Sequence, residues 1–142
     1  MIRFVTVVLA LMLSLPAKAA TDIVEVVSER GIKAWLVQEP SIPFVALEIR
    51  FMGGASLDQA GKRGATNLMM GLLEEGAGDM NSTDFARNLE ELAASFSYSV
   101  NDDNASVSAR FLVENQDEAV ELLRQSLIAT SFSQDALDRV RG

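Results

Sequence analysis

The first part of the chain alternates between apolar and polar residues with the period of a β-strand. The alternation covers Ile23 to Val27, Ile32 to Gln38 and Phe44 to Met52. Because successive side chains of a strand point to opposite faces, each stretch predicts a strand. Gly31 and the stretch from Pro40 to Pro43 interrupt the pattern. We therefore expect three strands joined by short turns, forming an antiparallel edge of a sheet.

The next stretch, Gly64 to Glu75, has the period of a helix instead. Its apolar residues recur three and four positions apart, which places them on one helix face and predicts that this face packs on a sheet. They are Ala65, Leu68, Met69, Leu72 and Leu73. The segment Gly76-Ala77-Gly78 predicts the C-terminal cap, because glycine adopts the left-handed conformation that commonly ends a helix.

The second half of the chain predicts two more strands and three more helices. Ser82 predicts the N-cap of a helix, and Asn101 to Asn104 predicts a tight turn between two strands. The elements are a helix from Ser82 through Leu92, strands at Ser95 to Val100 and Ser106 to Val113, a helix at Asn115 to Ile128, and a last helix at Gln134 to Arg141 capped by Ser133. The order β-β-β-α-α-β-β-α-α predicts an α+β fold, with helices packed on an antiparallel or mixed sheet.

The N-terminus has the pattern of a secretory signal peptide. Arg3 supplies a basic start, Val7 to Leu15 is apolar but too short to span a bilayer, and Ala17-Lys18-Ala19 is a small-residue cleavage site. We expect residues 1–19 to be removed and residues 20–142 to form one domain in the periplasm or outside the cell. A retained membrane anchor is the alternative. Since the chain has no Cys, we expect no acyl anchor after removal of the signal.

Charge and composition exclude several classes of partner and ligand. The chain carries a net charge of −8, and the part after residue 19 has ten basic residues against twenty acidic ones. This balance argues against nucleic acid and anionic membranes as partners. The chain contains no His and no Cys. Carboxylates are then its strongest metal ligands, and they prefer hard cations to zinc.

The glycines before the first helix, together with that helix, resemble the active-site segment of a known peptidase family. Gly53-Gly54-Ala55-Ser56 is followed by Gly61-Lys62-Arg63-Gly64 and then by the helix. This order is similar to that of the pitrilysin/insulinase family, the inverted zincins, whose helix carries His-x-x-Glu-His. The strand from Gly31 to Val37 and the segment from Leu89 to Phe96 also resemble that family. The resemblance covers essentially all of the chain after residue 19.

The resemblance places the family's two histidines at Asn67 and Gly71 and its glutamate at Met70. Positions i, i+3 and i+4 share one helix face, where two imidazoles bind zinc and a carboxylate activates the bound water. Asn67, Met70 and Gly71 do not provide that chemistry. We therefore expect a degenerate zinc site, with no catalytic residue and no metal or other cofactor in this chain.

Two glutamates at the end of this helix, Glu74 and Glu75, are the alternative metal ligands. We favour solvated positions for both in the last helical turn. The resemblance places the family's third zinc ligand beyond Gly142, and the last helix stops in mid-pattern. We therefore expect the chain to be the N-terminal part of a longer protein, with a peptidase-like domain that is incomplete at its C-terminal end.

The resemblance also implies partners. Family members include paired subunits, of which one keeps the zinc motif and the other has lost it and helps to form the chamber that holds peptide. We expect a non-catalytic, peptidase-like subunit of a secreted or periplasmic complex, inactive by itself, beside a homologous subunit that binds zinc. Two alternatives stay open. One is an active zinc metallopeptidase whose ligands are unusual or lie elsewhere, and the other is a peptide-binding or scaffold module without an enzymatic partner.

Overall fold

The computed structural model describes residues 22–141, which fall into two units. The first unit, residues 22–41, is a hairpin of two strands, β1 (Ile23–Val27) and β2 (Lys33–Val37), which pair antiparallel along their whole length. Gly31 lies in the turn with a φ of +84°, a conformation that glycine adopts without strain. The expected signal at residues 1–19 and its cleavage site lie outside the described residues.

The second unit, residues 42–141, is built on a three-stranded antiparallel sheet. Its strands are β3 (Phe44–Met52), β4 (Ser95–Val100) and β5 (Asn104–Leu112), in the order β3-β5-β4. The turn between β4 and β5 forms as the sequence predicted. The side chain of Asn101 accepts hydrogen bonds from the N–H groups of Asp103 and Asn104, at 2.9 Å each.

The predicted pairing of the first three strands as one sheet edge is wrong. β1 and β2 pair with each other, whereas β3 pairs with β5. In that ladder Glu48 lies opposite Ser108, 60 positions away along the chain. Alternation indicates that a segment is a strand, but it carries no information about a partner so distant in sequence.

Four helices accompany the sheet within residues 42–141: α1 (Ala65–Leu72), α2 (Ser82–Glu91), α3 (Gln116–Ile128) and α4 (Gln134–Arg141). The predicted α+β fold, with helices packed on an antiparallel sheet, is therefore confirmed. The longest of these helices, α3, has 13 residues. Among the described residues no helix is long and apolar enough to cross a membrane.

The main core lies where α1 and α3 meet the central strand. Every second residue of β5 points inward and is at most 7% exposed: Ala105, Val107, Ala109 and Phe111. These side chains form one cluster with Met70, Leu73, Ala119 and Leu123. Phe85 of α2 anchors a second cluster with Ala77 and Leu122. Burial of this apolar surface is what holds the helices against the sheet.

Two helix ends differ from the prediction. α1 stops at Leu72 and does not continue to Glu75, because the N–H of Leu73 bonds to the carbonyl of Met70 three residues back and tightens the last turn. The N-cap of α2 is Asn81 and not Ser82. The side chain of Asn81 accepts the N–H of Asp84 at 2.9 Å.

Of two further predicted caps, one is confirmed and one is wrong. Ser133 caps α4 as predicted, with its hydroxyl accepting the N–H of Ala136 at 3.2 Å. The predicted cap at Gly76-Ala77-Gly78 is wrong, because these residues lie beyond the end of α1. There Ala77 pairs with Thr130 in an isolated bridge, and the N–H of Gly78 donates to the carbonyl of Ala129.

The apolar face predicted for α1 is partly wrong. Leu72 and Leu73 are buried, but Ala65 is exposed and Met69 is 41% exposed. Met70, which was outside the predicted stripe, is only 4% exposed. Neighbouring methionines are equally apolar, so the pattern did not distinguish them, and only packing into the main core selects Met70.

Candidate zinc-site helix

The two glycines at the end of β3 hold the chain against the β4–β5 turn. Gly53 has a φ of +92°, and its N–H donates to the carbonyl of Asp103 at 2.7 Å. Gly54 approaches this turn so closely that an added Cβ would lie 2.0 Å from the carbonyl oxygen of Asn101. The next residue, Ala55, donates its N–H to the same carbonyl oxygen at 2.9 Å. The Gly-Gly pair is therefore required by backbone packing alone, without any metal.

Asp58 fixes the start of α1 from the preceding loop. Its carboxylate accepts the N–H of Gly64 at 2.7 Å, the N–H of Thr66 at 3.1 Å and the hydroxyl of Thr66 at 2.5 Å. The hydrogen bond from the Thr66 hydroxyl, helped by those from the backbone, holds the pKa of Asp58 below its usual value. This contact was not predicted from the sequence. The only signal for it in the sequence is an Asp six residues before a helix that starts with Gly-x-Thr.

The three expected zinc-site positions lie on α1 but differ in environment. Asn67 is exposed, whereas Met70 is 4% exposed and packs in the main core with Val107 and its neighbours. An added Cβ at Gly71 would lie 2.8 Å from Cγ1 of Val140 on α4. The helix therefore presents one polar side chain to solvent and points one apolar side chain into the core, while the third position is an exposed glycine next to Val140 of α4.

These residues do not fit a zinc ion. The chain has no His or Cys to supply nitrogen or thiolate ligands. Within residues 22–141 no group of three or more acidic side chains is placed to hold a metal. The cleft beside Asn67 is lined by three cationic residues, Lys62, Arg63 and Arg141, whose charge opposes a bound cation.

Glu74 and Glu75, the alternative cation ligands, have different environments. Glu74 as a whole is exposed, but its carboxyl is partly shielded from water. This shielding, together with the nearby charge of Glu75, raises the pKa of Glu74. Glu75 is not a freely solvated residue, which corrects the expectation. Its side chain is 19% exposed and accepts two hydrogen bonds from Arg139 of α4, at 2.6 and 3.1 Å. Because this ion pair occupies Glu75, the two glutamates do not form an open cation site.

Comparison with known families gives the class of the protein. The model of the insulinase family, peptidase family M16, matches residues 33–142. The chain belongs to this family, and the resemblance inferred from its glycines and helix is confirmed. The segment from Gly53 to Leu72, which carries the resemblance, lies within the matched residues.

Individual relatives are consistent with this assignment. The chain is 26% identical over 137 residues to the non-peptidase homolog YmxG of Helicobacter pylori, an alignment that covers 96% of this chain and 31% of that protein. The chain therefore spans about a third of the length of this curated relative.

Solved structures show the same fold. The chain is similar to a peptidase M16 inactive domain from Pseudomonas fluorescens, with a TM-score of 0.78, 24% identity, and coverage of 84% of this chain and 29% of that one. It is also similar to a protease from Helicobacter pylori, with a TM-score of 0.70, 14% identity, and coverage of 86% and 29%. At these identities the similarity shows the fold alone.

Proposed function

We propose that this chain is part of a non-catalytic, peptidase-like subunit, which works beside a homologous zinc-bearing subunit and helps to enclose peptide. The observation that carries the proposal is which residues stand at the zinc-site positions of α1 and how they are packed. Of the three positions at which the resemblance places the family's zinc ligands and general base, Met70 lies in the core, and Gly71 is an exposed glycine at which an added Cβ would lie 2.8 Å from a methyl group of Val140. A helix packed in this way supports a shaped surface and does not provide a hydrolytic centre.

The names of two relatives support the proposal that this chain is non-catalytic. One similar protein is named a non-peptidase homolog, and one similar structure is named an inactive domain of the M16 family. A subunit that has lost its ligands while keeping the fold is useful where two homologous halves together shape a site. We accordingly propose a zinc-bearing homologous subunit and a peptide substrate as its partners, with zinc held by the partner and not by this chain.

The signal-like N-terminus supports a location outside the cytoplasm. The basic start, the short apolar stretch and the Ala17-Lys18-Ala19 site are the elements that export machinery reads. We propose that the protein acts in the periplasm or is secreted. The lack of Cys makes the chain indifferent to the oxidising conditions found there.

Affinity purification of the tagged full chain from its source tests this proposal. We expect a co-purifying chain that carries His-x-x-Glu-His, and peptide cleavage that requires both chains. As a matched control, the partner with its motif glutamate changed to glutamine should still co-purify but should not cleave. Peptide cleavage by the isolated chain with stoichiometric zinc would favour the active metallopeptidase. A homo-oligomer without a peptidase would favour the scaffold module.

A further inference from the structure

The cleft beside α1 has a charge opposite to that of the protein as a whole. It has a volume of about 580 Å³ and lies between the loop before α1, the exposed side of that helix and the end of α4. Its lining residues are Lys62, Arg63, Gly64, Ala65, Asn67, Leu68, Val140 and Arg141. Among the described residues none that line it is acidic, although the chain carries twenty acidic residues against twelve basic ones.

The cations of this cleft form no direct ion pairs within the described residues. In residues 22–141, Lys62, Arg63 and Arg141 form no ion pair, whereas most other arginines do. The carboxylate of Asp58, which accepts hydrogen bonds from Gly64 and Thr66, keeps its negative charge and offsets part of theirs. Three cations against one nearby carboxylate still leave a net positive potential that attracts anionic groups.

The rest of the lining is suited to a peptide. Leu68 and Val140 are half-buried and provide an apolar wall, and Asn67 is exposed with an amide that both donates and accepts hydrogen bonds. Ligand sites commonly combine such an apolar wall with a few placed polar groups. Asn67 is available to hydrogen-bond a group bound in the cleft.

We propose that this cleft binds an acidic peptide segment, with Asp or Glu side chains meeting Lys62, Arg63 and Arg141 and an aliphatic side chain packing on Leu68 and Val140. The inference rests on the proposed function, because it names the class of peptide that the chamber favours at the degenerate zinc site. On this proposal, α1 helps to select acidic peptides and does not hydrolyse them.

Fluorescence anisotropy of labelled eight-residue peptides bound to the full chain tests the proposal without any partner or zinc. The probe alternates Glu with Leu, and its controls replace Glu by Gln or by Lys. We expect the Glu peptide to bind best. The triple variant Lys62→Gln, Arg63→Gln, Arg141→Gln should weaken its binding about tenfold, since each exposed charge pair contributes a modest amount.

The matched control variant is Arg30→Gln, Arg50→Gln, Arg87→Gln, which removes the same charge elsewhere. It should weaken binding less than about twofold, and circular dichroism should show that both variants keep the fold. The proposal would be overturned if both variants weakened binding equally or if the Gln peptide bound as well as the Glu peptide. It would also be overturned if millimolar phosphate alone displaced the Glu peptide completely. Partner-dependent cleavage would be unaffected by that outcome, so the two proposals fail separately.

Discussion

Gly54 lies so close to the β4–β5 turn that no side chain fits there. We expect Gly54→Ala to lower the free energy of unfolding by about 2–4 kcal/mol, because the added Cβ meets backbone atoms that cannot move away. Gly71→Ala is the matched control. Its Cβ meets only a methyl group of Val140, and a gain in helix propensity of about 1 kcal/mol offsets that contact. Urea unfolding measures both variants, and a Gly54→Ala change no more harmful than Gly71→Ala would contradict the packing argument.

Glu121 on α3 gives a residue-scale test of the electrostatics. Hydrogen bonds from Arg124, and then from Gln125, lower its pKa to about 2 from 4.5. Because the folded pKa is below the unfolded one, the stabilisation is fully present above about pH 4.5 and is lost as the pH falls toward 2. An NMR titration should show Arg124→Gln raising this pKa toward 4.5, while Arg87→Gln on α2 leaves it unchanged. An unaltered Glu121 titration in Arg124→Gln would refute the assignment.

At the scale of elements, a partly buried hydrogen bond joins β4 to α3. The hydroxyls of Tyr98 and Ser126 lie 2.6 Å apart, and Ser126 is fully buried. Since Ser126 donates to the carbonyl of Leu123, its oxygen accepts from Tyr98. Burial raises the pKa of Tyr98, so the phenol stays protonated and remains a donor.

Removing either hydroxyl should destabilise the contact between these two elements. We expect Tyr98→Phe and Ser126→Ala each to lower the free energy of unfolding by about 1 kcal/mol, with a double-mutant coupling of similar size. The exposed pair Ser99 and Ser106, with oxygens 2.9 Å apart, is the control and should show a coupling below about 0.5 kcal/mol. Additive effects at Tyr98 and Ser126 in thermal unfolding would mean that the bond does not link the elements.

The elements also show what local sequence can and cannot predict. The strand at Phe44 to Met52 and the Asn101 turn were predictable, because alternation and turn chemistry act over a few residues. The pairing of β3 with β5, the Glu75–Arg139 ion pair and the contact of Val140 with Gly71 were not. Each of these joins residues far apart in the chain, and their positions depend on how the whole unit packs. The zinc-site positions came from the family resemblance, and only packing shows that Met70 is a core residue.

For the whole molecule, the sequence predicts export from the cytoplasm with removal of a signal peptide. We expect residues 1–19 to be removed, because the basic start, the apolar stretch and Ala17-Lys18-Ala19 match the requirements of a signal peptidase. Intact-mass spectrometry of the exported protein should give a chain that begins at Ala20. Ala17→Leu, which spoils the small-residue site, should leave the precursor uncut, whereas Thr21→Ser should not. A native exported protein that retains Met1 would refute the signal assignment.

We infer that α1 is a structural helix of an M16 domain and not a zinc site. Restoring the motif with Asn67→His, Met70→Glu and Gly71→His should not create an enzyme. The new glutamate would replace a core side chain that is 4% exposed, and the second histidine would meet Val140. We expect this variant to lose more than about 2 kcal/mol of stability.

Calorimetric titration of zinc into the full chain, native and triply substituted, with a peptide-cleavage assay on both, is the most direct test. We expect no stoichiometric zinc binding and no cleavage by the native chain alone, and at most weak zinc binding without turnover by the variant. Tight one-to-one zinc binding with peptide turnover by the native chain alone would contradict the structural role of α1.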